Sequence, residues 1–183
     1  MPDPVEIPAL EGRRVRLVPL SPAHSAGMYE MWRCPEVCAH SGPALDRYGR
    51  AIPMPVRSPA DSDRLLDFWL DRATAGTGFR WAVLEGEGAS FAGTIGFNAL
   101  GACAEYAYHF VPVFWGQGLA AEASRLALAW VFEAGAARVE AFIAPGNLRS
   151  VRLIERLGFA EQPVEGGGVP RFVRDADDVA GRV

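Results

Sequence analysis

The stretch from Glu105 to Ala123, EYAYHFVPVFWGQGLAAEA, limits what this chain can fold into more than any other. It reads as a strand from Glu105 to Val111 that ends at Pro112, then a tight turn at Gly116-Gln117-Gly118, then a helix that begins at once. The helix sets Leu119, Ala123, Leu126, Ala127, Trp130 and Val131 on its buried side, and Gly135 closes it. The leading N–H groups of such a helix have no acceptor within it, and with the helix dipole they favour an anion. Gly116 and Gly118 leave out side chains that would keep a phosphate from the backbone. Taken alone, Gly-x-Gly fits a plain tight turn as well as it fits a phosphate site. A P-loop would continue with lysine and a hydroxyl residue, where this chain has Leu119 and Ala120. A dinucleotide turn would show three spaced glycines and an acidic residue about twenty positions later, and this pattern is missing too.

The surrounding chain supplies strands and helices in mixed order. Arg14 to Leu20 alternates as a strand, and Ser21-Pro22 starts a short helix with Met28, Met31 and Trp32 on one face. His40 to Pro59 holds four prolines and two glycines without a period, and a loop this long is often a lid or binding loop. Helical spacing returns at Leu65, Leu66, Trp69 and Leu70, with Ser58 or Asp61 as the cap. Strands are expected at Phe79 to Leu84 and Phe91 to Phe97, joined by a turn at Glu85-Gly86-Glu87-Gly88, and again at Arg138 to Ala144. Asn147 caps a helix carrying Val151, Ile154 and Leu157 that stops at Gly158, and one or two short strands follow. The pattern is α+β around one partly antiparallel sheet. A single domain over residues 10–175 is expected, with an acidic tail over 176–183.

A net charge of −4 argues against non-specific binding to nucleic acid or acidic lipid. No stretch approaches the roughly 20 apolar residues of a membrane span, and the Met1-Pro2-Asp3-Pro4 start lacks a signal pattern, so a cytoplasmic location is expected. The three cysteines, Cys34, Cys38 and Cys103, read as reduced thiols. Cys34 and Cys38 have the spacing of half a metal site, but no second Cys/His pair completes it, and no metal is expected.

The run EYAYHFVPVFWGQGLAAEA is similar to the "EIGY…P.YWGKG.A.EA" stretch of the RimJ/RimL-type branch of the GCN5-related N-acetyltransferases. About thirty residues later, NLRSVRLIERLGF (Asn147 to Phe159) resembles the branch's "N..S.R.LEKLGF". LEGRRVRLVPLSPAHS near the start and GTIGF before the glycine turn extend the resemblance over roughly Leu10 to Glu161. It implies a three-layer fold with a central mixed, mostly antiparallel splayed sheet flanked by helices, and acetyl-CoA as cosubstrate between two diverging strands. The backbone of Phe110 and Val111 would then bond the thioester and pantetheine arm. The N–H groups of Gly116, Gln117, Gly118, Leu119, Ala120 and Ala121 would hold the pyrophosphate. Asn147 would reach the pantetheine or thioester region, a role compatible with its reading as a helix cap. Exposed sheet edges in the family allow a homodimer.

Many members of the wider superfamily carry a tyrosine seven residues after the asparagine to protonate the leaving thiolate, and here that residue is Ile154. The branch instead has a serine three residues after the asparagine, here Ser150. A hydroxyl is a far weaker acid than a thiol of pKa about 8.5, so Ser150 suits hydrogen bonding to the thiolate better than full proton transfer. Ser150 can equally be a polar first-turn residue bonding locally. Glu105 is a candidate base or a plain strand end. Glu122 suits the helix dipole, and His24, His40 and His109 are scattered, with His109 read as a satisfied core histidine. The resemblance implies acetyl transfer to a primary amine, a protein or peptide N-terminus first, a polyamine or antibiotic otherwise. The missing tyrosine and the C-terminal end, broken by Gly166-Gly167-Gly168, leave a non-catalytic acyl-CoA-binding module as the other class. Asp46, Arg47 and Arg50 in the long loop are expected at the acceptor side, with Asp46 as the carboxylate free to attract the amine.

Overall fold

The computed structural model describes residues 6–164 and 168–177. Most of the expected 176–183 tail, and Gly166 and Gly167, lie outside the described residues. The main sheet has eight strands: β1 (Leu10–Glu11), β2 (Val15–Pro19), β5 (Phe79–Glu85), β6 (Ser90–Ala99), β7 (Cys103–Phe110), β8 (Arg138–Phe142), β9 (Ala160–Gln162) and β10 (Arg171–Asp175). They lie in the order β1-β2-β5-β6-β7-β8-β10-β9. Every pairing is antiparallel except β7 with β8. A parallel pair needs a long crossover, and α4 (Leu119–Glu133) supplies it.

The helices α1 (Ser25–Trp32), α2 (Pro35–Cys38) and α3 (Pro59–Thr74) share one core with Ala82 of the sheet, through Met28, Met31, Trp32, Val37, Leu65 and Leu66. The larger core joins α4 and α5 (Leu148–Arg156) to the sheet through Phe79, Trp81, Ile95, Phe97 and Tyr106. The result is three layers. β5 is buried on both faces, which is why FRWAVLE is almost continuously apolar. On the expected apolar side of α4, Leu119, Ala123, Ala127 and Val131 are buried. Leu126 and Trp130 are only half-buried, and Ser124 and Leu128 take the remaining places in the core. Ser58 caps α3, its Oγ accepting from the Asp61 N–H at 3.3 Å.

The 40–59 segment is not an irregular loop. It contains a two-stranded hairpin, β3 (Ala44–Leu45) with β4 (Ala51–Ile52), and buries Ile52 and Val56. Asp46 is not a free carboxylate. Its side chain is 1% exposed and takes Arg50 Nε at 2.8 Å and Arg64 Nη2 at 2.9 Å. Arg47 pairs with Asp67 and Asp71 of α3. These ions fasten the hairpin to the helix, so the charge pattern read from sequence as acceptor recognition is structural.

Candidate active site

β7 and β8 pair only over Cys103–Arg138, Ala104–Val139 and Glu105–Glu140. β8 stays paired to β10 along its whole length, and β7 stays paired to β6 up to Phe110. The two strands therefore part beyond Glu105 and leave a V-shaped opening through the sheet. A cavity of about 210 Å³ lies there, and its lining includes His40, Tyr108, His109, Asn147 and Ser150.

Backbone groups of a strand alternate between its two edges. The Val111 N–H donates to the Ala92 carbonyl at 2.9 Å, so it is used within the sheet and does not face the opening. Phe110 lies opposite Gly93 one position earlier, which turns its N–H and C=O to the open edge. The carbonyl there accepts the Trp115 indole N–H at 2.7 Å. Of the expected Phe110–Val111 pair, the Phe110 N–H is the group that reaches the opening.

The glycine turn follows the end of β7, the strand that forms one edge of this opening. Gly116 and Gly118 have φ of +74° and +78°, left-handed values that favour glycine. The first bond of α4 runs from the Glu122 N–H to the Gly118 carbonyl at 3.1 Å, leaving Leu119, Ala120 and Ala121 N–H groups with no acceptor in the helix. Arg14 of the β1–β2 turn reaches the same point, donating from Nη1 to the Gln117 carbonyl at 2.8 Å and from Nε to Glu122 at 3.1 Å. Glu122 also accepts the Arg14 N–H at 2.7 Å. Burial pushes the Glu122 carboxyl up, but these hydrogen bonds outweigh it and hold the group below its ordinary value. Sequence reasoning did not assign Arg14 to this site.

At the other side, Asn147 caps α5, its Oδ1 accepting from the Ser150 N–H at 3.2 Å. Ser150 Oγ accepts from the Tyr108 hydroxyl at 2.9 Å. Burial raises the Tyr108 phenol above its ordinary pKa, against smaller lowering by the Ser150 bond and the Arg149 charge. Ile154, in the position of the superfamily's tyrosine, is fully buried in the core. Arg149 stacks its guanidinium on Trp115 at 4.2 Å, bringing α5 against the segment that leads into the glycine turn.

The histidines are less scattered than their sequence positions suggest. His40 and His109 both line the cavity. His109 packs on Trp32 at 4.5 Å between ring centroids, but its buried Nδ1 has no hydrogen-bond partner, so it is not the satisfied core residue expected. Burial and then the nearby Arg80 charge lower its pKa to about 3, and the ring is neutral near pH 7. His24 is apart from the site and accepts the Ser21 N–H at 3.0 Å. Glu105 accepts from Asn98 Nδ2 at 2.5 Å, and Asn98 in turn accepts from the buried Arg80. That carboxylate serves Arg80, whose pKa burial brings down to about 9 despite the opposing charge of Glu105. Among the described residues the cavity lining contains no carboxylate, no group of three or more His, Cys, Asp or Glu could hold a metal ion, and no helix is long and apolar enough to cross a membrane. The cysteines are unpaired, Cys34 and Cys38 donating to the Glu30 and Trp32 carbonyls.

A parallel strand pair that opens beside a glycine turn and the N-terminus of the crossover helix is suited to an extended ligand with an anionic end. Residues 14–160 match the acetyltransferase (GNAT) domain, and the chain belongs to that family. Its members use acetyl-CoA as cosubstrate. The N-acetyltransferase YoaA of Bacillus subtilis strain 168, whose function is uncharacterized, is 33% identical over 91 residues, 48% of this chain and 51% of that protein. The chain thus spans about half the length of this curated relative. A GCN5-related N-acetyltransferase from Brucella melitensis superposes with a TM-score of 0.73 over 96% of this chain and 81% of its own, at 21% identity. RimL, a ribosomal L7/L12 alpha-N-protein acetyltransferase solved with coenzyme A, superposes with a TM-score of 0.77 over 93% of this chain and 99% of its own, at 14% identity. At these identities the two structures establish the shared fold.

Proposed function

We propose that this protein transfers the acetyl group of acetyl-CoA to a primary amine, with the N-terminal amine of a protein or peptide as the favoured acceptor. The observation that carries the reading is the β7–β8 opening, lined by the Ser150 hydroxyl, with free backbone donors at the glycine turn that follows β7. Acetyl-CoA supplies an activated acyl carbon and a thiolate leaving group. The N–H groups from Gly116 to Ala121, helped by Arg14, suit its pyrophosphate, since an added Cβ at Gly116 would meet nothing and the donors there are unspent. The Phe110 N–H, turned away from β6, is suited to stabilise charge building on the thioester oxygen. Asn147 holds the start of α5 so that Ser150 faces the cavity. The amine attacks as the free base, the C–S bond breaks onto sulfur, and Ser150 donates a hydrogen bond to that sulfur. The amine's surplus proton passes to water.

The acceptor reading is supported by the lining. A polycation would find no carboxylate there among the described residues. A peptide α-amine, with pKa about 8 against about 10.4 for lysine, is far more often neutral at pH 7 and needs no counter-charge. The name of RimL is in keeping with this class. The test is thiol release from acetyl-CoA with three acceptors: a free-N-terminal peptide, an N-blocked lysine peptide and spermidine. The peptide α-amine should give the highest kcat/KM. Preference for spermidine would overturn the acceptor, and CoA binding without thiol release from any amine would mark a binding module instead.

A further inference from the structure

β7 sends two tyrosines to the same face, and each meets a serine on a helix of that layer. Tyr106 reaches Ser124 of α4 at 2.6 Å, and Tyr108 reaches Ser150 of α5 at 2.9 Å. The two pairs differ in what the serine does with its own hydrogen. Ser124 donates it to the Ala120 carbonyl one helical turn back, at 2.5 Å, so the first pair is closed within the core. Ser150 stands too early in α5 for that bond, and among the described residues its hydrogen has no protein acceptor. Its oxygen is already occupied by the Tyr108 hydroxyl, and both side chains line the cavity at the strand opening.

From this contrast we infer that Tyr108 is a positioning residue for the leaving group, acting through Ser150. By donating into Ser150 Oγ, it turns the serine hydrogen away from itself and towards the cavity. It also polarises the Ser150 O–H bond, because hydrogen bonds in a chain strengthen one another. As the thioester C–S bond breaks and its electron pair settles on sulfur, Ser150 donates to the thiolate while Tyr108 donates to Ser150. Both hydroxyls keep their protons through the step, and the thiol is completed by a proton from water. The two residues together thus stabilise the departing sulfur by hydrogen bonding from β7 and α5, without the proton transfer that a tyrosine in place of Ile154 would supply. This inference rests on the proposed acetyl transfer, and its test separates the two.

The test uses the full-length protein with CoA itself as the probe, following thiolate absorbance against pH for the bound thiol. The wild-type protein should lower the thiol pKa of bound CoA. Tyr108→Phe, which removes one oxygen, and Ser150→Ala should each raise it again. In the Ser150→Ala background Tyr108→Phe should do nothing further, the signature of a residue that acts through another. In turnover, Tyr108→Phe should lower kcat about ten-fold, below the roughly 10²–10⁴-fold of full acid catalysis, with the KM for acetyl-CoA unchanged. Additive effects of the two substitutions, or an unmoved thiol pKa in Tyr108→Phe, would overturn the role of Tyr108 while leaving acetyl transfer intact. A shifted thiol pKa in a wild-type protein that acetylates no amine would do the reverse.

Discussion

The carboxylate of Asp46 lies 2.9 Å from the Arg64 guanidinium and 2.8 Å from that of Arg50, and it also accepts the N–H groups of Tyr48 and Arg50. A buried carboxylate with that many donors is held in its charged form. Burial pushes its pKa up, but the bonds from Arg50, Arg64 and Tyr48 outweigh it and bring the group well below the ordinary aspartate value. A depressed pKa contributes stability that is complete above the unfolded value of about 3.9 and is lost as pH falls below it. Asp46→Asn should therefore melt at a lower temperature at pH 7, and the difference from wild type should shrink as pH drops below about 4. A pH-independent difference in melting temperature would show that the carboxylate's charge is not what holds the hairpin to α3.

The glycine turn gives a second test, with its own control. Gly118 has φ of +78°, and a Cβ there would stand 3.3 Å from Arg14 Nη2. Gly118→Ala should destabilise the free protein by about 1 kcal/mol through the left-handed backbone alone. It should also remove most of the melting-temperature rise that CoA gives. Gly135→Ala, at the far end of α4 with φ of +99° and open space around it, should show comparable strain with the CoA effect intact. Equal CoA protection in the two variants would take the phosphate away from this turn.

What could be read from the chain beforehand was local. The glycine turn, the α4 start and the Asn147 cap follow from neighbouring residues, and they appear where the spacing puts them. The opening between β7 and β8 could not be read that way. It depends on which residues of β7 and β8, separated by α4, pair and where the pairing stops. Tyr108 was hidden for the same reason, since its alternation with Tyr106 and Phe110 reads simply as core until α5 is placed over it. Asp46 shows the opposite failure. A charged residue in a proline-rich segment suggests exposure, and only the position of Arg64 on α3 shows that it is buried.

Arg14 lies beside the glycine turn proposed to hold the phosphates, without being one of the backbone donors. Its side chain is 44% exposed, so its contribution is modest and screened by salt. Arg14→Ala should raise the KM for acetyl-CoA by about five-fold, equivalent to about 1 kcal/mol. The turnover number should stay the same, because the contact is equal in ground and transition states. Arg14→Lys should recover part of the loss, and the difference between wild type and Arg14→Ala should narrow at high salt. A fall in kcat with an unchanged KM would place Arg14 with the chemistry instead.

The last prediction concerns the acceptor entrance. Excising the whole 40–59 segment would remove Ile52 and Val56 from the core and Asp46 from its arginines, so it would report on folding. The informative residue is His40, exposed in the turn that follows α2. Its ring lies 3.5 Å from where a Cβ on Gly146 would be, so it faces the turn between β8 and α5 across the mouth of the cavity. That places it on the α1–α3 side, while Ser150 and the glycine turn belong to helices of the opposite layer. On the proposed reading, an acceptor that enters from the His40 side would meet the thioester within the opening without crossing the proposed pyrophosphate site. His40→Ala should therefore raise the KM for a peptide acceptor by about three- to ten-fold, the loss of one contact of about 1 kcal/mol. The KM for acetyl-CoA and the CoA-induced rise in melting temperature should stay at wild-type values. If acetyl-CoA kinetics change and acceptor kinetics do not, His40 belongs to the cosubstrate side and the acceptor enters elsewhere.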